Sequence, residues 1–194
     1  MKITIQAIKD RESNVVKITN QIKAEVYYDY GMNGCFNSFV QMLNIPFDDY
    51  KLHLQDDIII PEQFEKYLEV IKNDMKQKDI DVLSLFAPRK AFLKSQYEKG
   101  IKYSEFPNFL WLQGTVFSRR AVDEMKEYLK INTQIKWDDV FVAAYLKHYK
   151  RKAYVHLPSI IQHNININSS MGNANSIKRT SDIYDKNYIK NYYA

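Results

Sequence analysis

Residues 2–157 switch repeatedly between the two-residue hydrophobic period of a strand and the longer period of a helix, and this restricts the chain to a layered α/β fold. KITIQAI at 2–8 alternates and then runs apolar, as a strand does. A helical period follows over about 12–22, with Val15, Ile18 and Ile22 on one face and Asp10 as the expected cap. AEVYYDY at 24–30 reads as a second strand, closed by the turn-rich GMNG, and a helix is expected over about 35–43. KLHL at 51–54 is a third strand. Pro61 marks the first turn of the most regular helix, in which Phe64, Tyr67, Leu68, Ile71 and Met75 recur at helical spacing. Strands at 80–86, 109–117 and 153–157 continue the pattern, with helices over about 119–130 and from the Trp-Asp-Asp at 137–139. Residues 88–107 form a less regular basic segment, and the chain beyond 157 is mostly polar. The prediction is one α/β domain, residues 1–172, with a mostly parallel central sheet and helices on both faces, followed by a polar, basic, Tyr-rich tail at 173–194.

Bulk composition narrows the partners. At 194 residues, 45% of them hydrophobic, the chain can bury one good core. Against 23 acidic residues stand 28 basic ones, a net +5 that permits an anionic partner without requiring one. The single cysteine, Cys35, excludes an internal disulfide and suits a reducing compartment. No apolar run approaches the roughly 18–20 residues of a membrane span, and the first residues turn charged too early for a signal peptide. A soluble, cytoplasmic protein with no membrane partner is expected.

Candidate chemistry begins at HLQDDIII, residues 53–60, where two aspartates stand at the end of a strand. Ligands of open α/β sheets collect beyond the carboxyl ends of the strands, which makes Asp56 and Asp57 site candidates. The competing reading is a helix cap or two solvated acids. If the pair binds a hard divalent cation, it needs oxygen or imidazole partners from elsewhere, and His163, in PSIIQHNININSS, is a candidate. A loop histidine can equally be a surface residue. Asp138 and Asp139 follow Trp137 at a helix start, where acids cap the helix and suit its dipole, or where one of them could serve as a general base. Gly114 inside a strand marks a bulge or a close approach, while Gly34 is explained by a turn with positive φ.

Taken in order, Arg11 after the first strand, Asp29 before a glycine turn, LQDD, a tryptophan with LQGTVFS, WDD, and PSIIQH followed by SS resemble a compact glycosyltransferase of the GT-A (Rossmann-like) type, most similar to the small versions that bacteriophages encode. The resemblance spans about residues 2–172. It implies that Gln55-Asp56-Asp57 matches the DxD motif, with Gln55 departing from the pattern at the first acid. Asp57 and His163 would then hold Mn2+ or Mg2+, which grips the diphosphate of a nucleotide sugar such as UDP-glucose. Asp56 and Gln55 would contact the ribose or donor sugar, Asp29 the nucleoside, and Arg11 the diphosphate or nucleoside. Trp111, Gln113 and Gly114 lie on a strand that would pass beneath the donor sugar, although a tryptophan on a strand is also the usual core residue. Asp139, with Asp138, would supply the base of an inverting transfer.

Basic residues gather at 89–102, at 147–152 and in the tail, where they mix with tyrosines, a composition compatible with duplex DNA. The phage resemblance therefore implies 5-hydroxymethylpyrimidine in DNA as one acceptor and, for a phage protein, the host cytoplasm as its location. A saccharide or small-molecule acceptor is the nearer alternative. A non-enzymatic, basic nucleic-acid-binding protein whose acids are only caps is the more distant one.

Overall fold

A computed structural model describes residues 1–29, 34–109, 111–167 and 179–194. The first strand, β1 (Lys2–Ile8), sends Ile3, Ile5 and Ala7 into one core layer and, by alternation, Thr4 and Gln6 into the other. It pairs in parallel with both β2 (Glu25–Asp29) and β3 (Tyr50–Gln55). The remaining strands of the main sheet are β5 (Val82–Ser84), β6 (Tyr103–Glu105), β7 (Gly114–Ser118) and β8 (Ala153–His156), and a separate two-stranded sheet joins β4 (Ile58–Ile59) to β9 (Gln162–His163). The main sheet has seven strands in the order β2-β1-β3-β7-β5-β8-β6. Because β7 is antiparallel to both neighbours and β6 is antiparallel to β8, only those two reverse, and the other five share one direction. The mostly parallel α/β sheet expected from the sequence is present.

Two core layers sandwich this sheet. On one side α1 (Glu12–Thr19) and α3 (Phe64–Gln77) pack against Ile5, Leu52, Leu54, Leu83 and Val116. On the other, α2 (Gly34–Leu43), α5 (Arg119–Ile131) and α6 (Asp138–His148) cover Val82, Phe117, Ala153 and Val155. The stripe of α3 is fully used: Phe64, Tyr67, Leu68, Ile71 and Met75 are all buried, each contributing on the order of 1.5–3 kcal/mol. Ser118 caps α5 by accepting from the amide of Ala121 at 3.1 Å. Lys51 projects from β3 under the end of α2, where its Nζ donates to the carbonyls of Met42 (2.5 Å) and Ile45 (3.0 Å), satisfying acceptors that the helix leaves open. Gly34, with φ 71°, starts α2 in the backbone region expected of it.

Several boundaries differ from the sequence reading, each for a tertiary reason. Asp10 does not cap α1: a 3-10 turn at Lys9–Arg11 intervenes, and Arg11 takes the cap position while its side chain turns inward. The helix stops at Thr19, though Ile22 is still buried. Pro61 precedes α3 rather than opening it, because β4 pairs with β9 first and Gln63 must turn through φ 59°. The strand expected at 109–117 starts only at Gly114, leaving Trp111 and Gln113 ahead of it. The basic segment contains α4 (Ala91–Glu98) and β6. Within the last residues, Ile183 and Ile189 are buried, the latter in α7 (Tyr188–Tyr192). The boundary at 172/173 and the serines after PSIIQH lie outside the described residues.

Candidate functional site

The acids that end β3 are buried, and they do different things. Asp56 Oδ1 accepts from Arg11 Nη1 at 2.5 Å, and its Oδ2 accepts from the amide of Ile8 at 2.8 Å. Its carbonyl accepts from Asn14 Nδ2 at 2.6 Å, and the same amide reaches the carbonyl of Ile58 at 3.1 Å. Asp56 thus ties the end of β1 and the first turn of α1 to the end of β3. Asp56 therefore has an anchoring role, and Arg11, buried against it, is turned toward the acids.

Asp57 shares Arg11 with Asp56 but has other neighbours as well. Pairing of Ile58 with His163 in the β4–β9 sheet sets the imidazole beside it, with Nδ1 3.7 Å from Asp57 Oδ2, beyond hydrogen-bond length. The amide of Asn164 donates to the Asp57 carbonyl at 2.8 Å and closes the contact. Arg11 Nη1 lies 3.3 Å and Arg179 Nη2 4.0 Å from the same carboxylate oxygen. Burial works against the Asp57 carboxylate, but His163, Arg11 and Arg179 together outweigh it and hold the carboxyl below its ordinary range. Asp57 Oδ1 and both ring nitrogens of His163 are buried with no hydrogen-bond partner among the described residues. One oxygen and one imidazole with open lone pairs, side by side, suit a hard divalent cation that draws its other ligands from phosphate oxygens and water. Among the described residues no group of three His, Cys, Asp or Glu side chains is placed to hold a metal ion.

Asp138 and Asp139 open α6 as expected, in its first turn behind Trp137 at the cap position. Asp138 Oδ1 accepts from the amide of Asp139 at 2.9 Å, and Asp139 Oδ1 accepts from that of Val140 at 2.7 Å. The two differ in burial. Asp138 is 6% exposed, and its Oδ2 has no partner among the described residues. Burial pushes its carboxyl up to about 6. Asp139 is half-buried, and burial raises it as well. Cys35 stands near this pair, its thiol pushed up first by burial and then by the Asp138 carboxylate. Gln6 Nε2 donates to the Cys35 carbonyl at 2.8 Å, which links the start of α2 to the carboxyl end of β1. No hydrogen bond or ion pair among the described residues joins Asp138 or Asp139 to Asp57 or His163.

Three glutamines lie on or beside neighbouring strands, Gln6 on β1, Gln55 at the end of β3 and Gln113 just ahead of β7. Gln6 is opposite Gln55 in the β1–β3 register, and the Gln55 amide donates to the Gln113 carbonyl at 3.0 Å. The side-chain oxygens of Gln6 and Gln113 are buried without partners among the described residues, as are Thr115 Oγ1 and both ring nitrogens of His53. Asp29 ends β2 opposite Ile8 and is half-buried. Trp111 is also half-buried, its ring centroid 6.1 Å from that of Phe86. Gly114 marks a close approach, as expected of a glycine inside a strand: a Cβ there would stand 2.4 Å from Ile161 Cδ1.

Sequence reasoning missed Asn14, Gln6 and His53. Gln6 and His53 carried a signal, being polar residues at inward positions of strands. Arg179 was read only as part of the basic tail, and nothing in the sequence placed it beside Asp57.

No protein-family model and no curated protein matches the chain. Solved structures similar to it include A197 from STIV, at 16% identity over 84% of this chain and 85% of that one, TM-score 0.47. A glycosyltransferase involved in glycosylation of the major capsid of PBCV-1 is similar at 13% identity over 81% and 83%, TM-score 0.47. A 4-diphosphocytidyl-2C-methyl-D-erythritol synthase from Anaerococcus prevotii is similar at 10% identity over 99% and 97%, TM-score 0.44. At identities and scores this low, the chemistry rests on the chain's own residues.

Proposed function

We propose that this chain is a metal-dependent glycosyltransferase of the GT-A type that moves a sugar, glucose from UDP-glucose, to a hydroxyl acceptor. The observation that carries the reading is the buried Asp57–His163 pair at the carboxyl edge of β3, with unpartnered ligand atoms on both residues. These two residues would hold Mn2+ or Mg2+, which supplies charge neutralisation for a departing diphosphate. Arg11 holds Asp57 ionised and in place. Gln55, Gln113 and Asp29 are the polar groups at the same edge that would orient the donor. Asp139, fixed by the first turn of α6, takes the proton of the acceptor hydroxyl as that oxygen bonds to the anomeric carbon and the carbon–phosphate oxygen bond breaks, giving an inverted product. Buried Asp138, held up near 6, supports it.

The acceptor proposed from the phage resemblance is a 5-hydroxymethylpyrimidine in duplex DNA. Four of the basic residues that motivated it are paired with acids: Arg151 with Glu124, Lys152 with Glu105, Lys102 with Asp74 and Arg89 with Asp182. That pairing favours a saccharide or small-molecule acceptor as the second reading. Release of UDP from UDP-glucose, assayed with Mn2+ against modified DNA and a saccharide panel, tests both. Asp57→Asn should abolish turnover and the rise in melting temperature caused by UDP with Mn2+. Retention of both in the variant removes the reading.

A further inference from the structure

Arg179 comes from the far end of the chain, yet its guanidinium points at Asp57. Its Nη2 is 4.0 Å from Asp57 Oδ2, and its Nη1 is buried with no hydrogen-bond partner among the described residues. A buried guanidinium N–H left open is rare in a folded protein, because it forfeits a strong, charge-assisted bond. The arrangement is held from several sides. The Gln162 side chain grips the backbone two residues on, with Nε2 donating to the Ser181 carbonyl at 3.1 Å and Oε1 accepting from the Ser181 amide at 2.9 Å. The Ser159 amide donates to the Ile183 carbonyl at 3.1 Å, Ile183 and Ile189 are buried, and the hydroxyls of Tyr67 and Tyr188 are in contact at 3.3 Å. Gln162 is also the residue before His163 in β9, so one short strand positions both the imidazole and the arginine.

From this geometry we infer that Arg179 is an anion-binding residue of the site, and that the C-terminal segment is a working part of it. The ligand class is a diphosphate or pyrophosphate group. Asp57 holds the guanidinium next to the site, and the open N–H donates to a phosphate oxygen. A planar guanidinium suits that geminal arrangement of oxygens better than an ammonium does. The assignment of the anion to a leaving diphosphate rests on the sugar-transfer reading; the anion site does not.

Binding of inorganic pyrophosphate in the presence of EDTA, measured by calorimetry on the full chain, tests the inference without metal or turnover. Wild-type protein should bind. Arg179→Gln should weaken binding on the order of 10-fold or more, the loss of one charge-assisted bond, and Arg179→Lys should fall between the two. Melting temperatures of all three proteins check that the fold survives, and the lysine variant keeps the comparison usable if the glutamine variant is unstable. No binding by wild type, or equal binding by wild type and Arg179→Lys together with Arg179→Gln, overturns the inference. UDP-glucose turnover in the same proteins separates the two ideas. Turnover with unchanged pyrophosphate affinity leaves sugar transfer standing and removes Arg179. An Arg179-dependent pyrophosphate site without turnover of any nucleotide sugar does the reverse.

Discussion

Arg11 Nη1 sits 2.5 Å from Asp56 Oδ1, both side chains buried, at the point where β1, α1 and β3 meet. Removal of either partner leaves an uncompensated charge in a place water barely reaches. Arg11→Met should lower the free energy of unfolding by about 3–5 kcal/mol, measured by urea titration at neutral pH. A loss under about 1 kcal/mol, the range of an exposed pair, would contradict the anchoring role.

Gly114 makes a different claim. An added methyl group would stand 2.4 Å from Ile161 Cδ1 and 3.1 Å from Leu54 Cδ2, both on fully buried side chains, so a packed neighbour has to shift to admit it. Gly114→Ala should therefore cost about 1–3 kcal/mol through overpacking. Ile161→Val removes the colliding carbon, so the double variant should be more stable than the sum of the two single effects predicts. Strict additivity in that cycle would mean the glycine is there for another reason.

Stability should weaken on mild acidification. His53 and His156 are fully buried, and burial pushes both down to about 3 from an ordinary value of 6.5. His156 is satisfied as a neutral ring between the Pro158 carbonyl at 2.8 Å and the Tyr67 hydroxyl at 3.1 Å. Between pH 6.5 and 3 the unfolded chain binds more protons at these two positions than the folded one. Their contribution is complete above pH 6.5 and shrinks as pH falls, by about 1.4 kcal/mol per pH unit for each ring. Urea midpoints at pH 7 and pH 5 check this, and a midpoint that holds or rises on acidification refutes it.

Asp138 acts in the opposite direction. Its folded carboxyl is raised to about 6, so the folded protein binds the extra proton and gains stability as pH drops through that value. Above pH 6 the buried carboxylate costs stability, and Asp138→Asn should be more stable than wild type at pH 8 by roughly 2–3 kcal/mol. The advantage should fade as pH falls toward 4. An asparagine variant that loses stability at pH 8 would show that the charged form is well satisfied.

What could be read along the chain is whatever depends on near neighbours. The alternation in KITIQAI and the stripe from Phe64 to Met75 are local patterns, and they appear as β1 and α3 because burying one face requires that spacing. The strand-end acids and the acidic start of α6 were visible for the same reason. Roles that depend on distant partners were not visible. Asp56 and Asp57 are adjacent and identical in type, yet both oxygens of Asp56 are taken by Arg11 and Ile8, while Asp57 turns Oδ2 toward His163, Arg11 and Arg179 and keeps Oδ1 open. That Ile161 is what closes on Gly114, and that Ile183 and Ile189 of the polar chain end are buried, came only from packing. Hydrophobic period is a property of a segment, whereas the partner of a buried charge is chosen by how the segments pack.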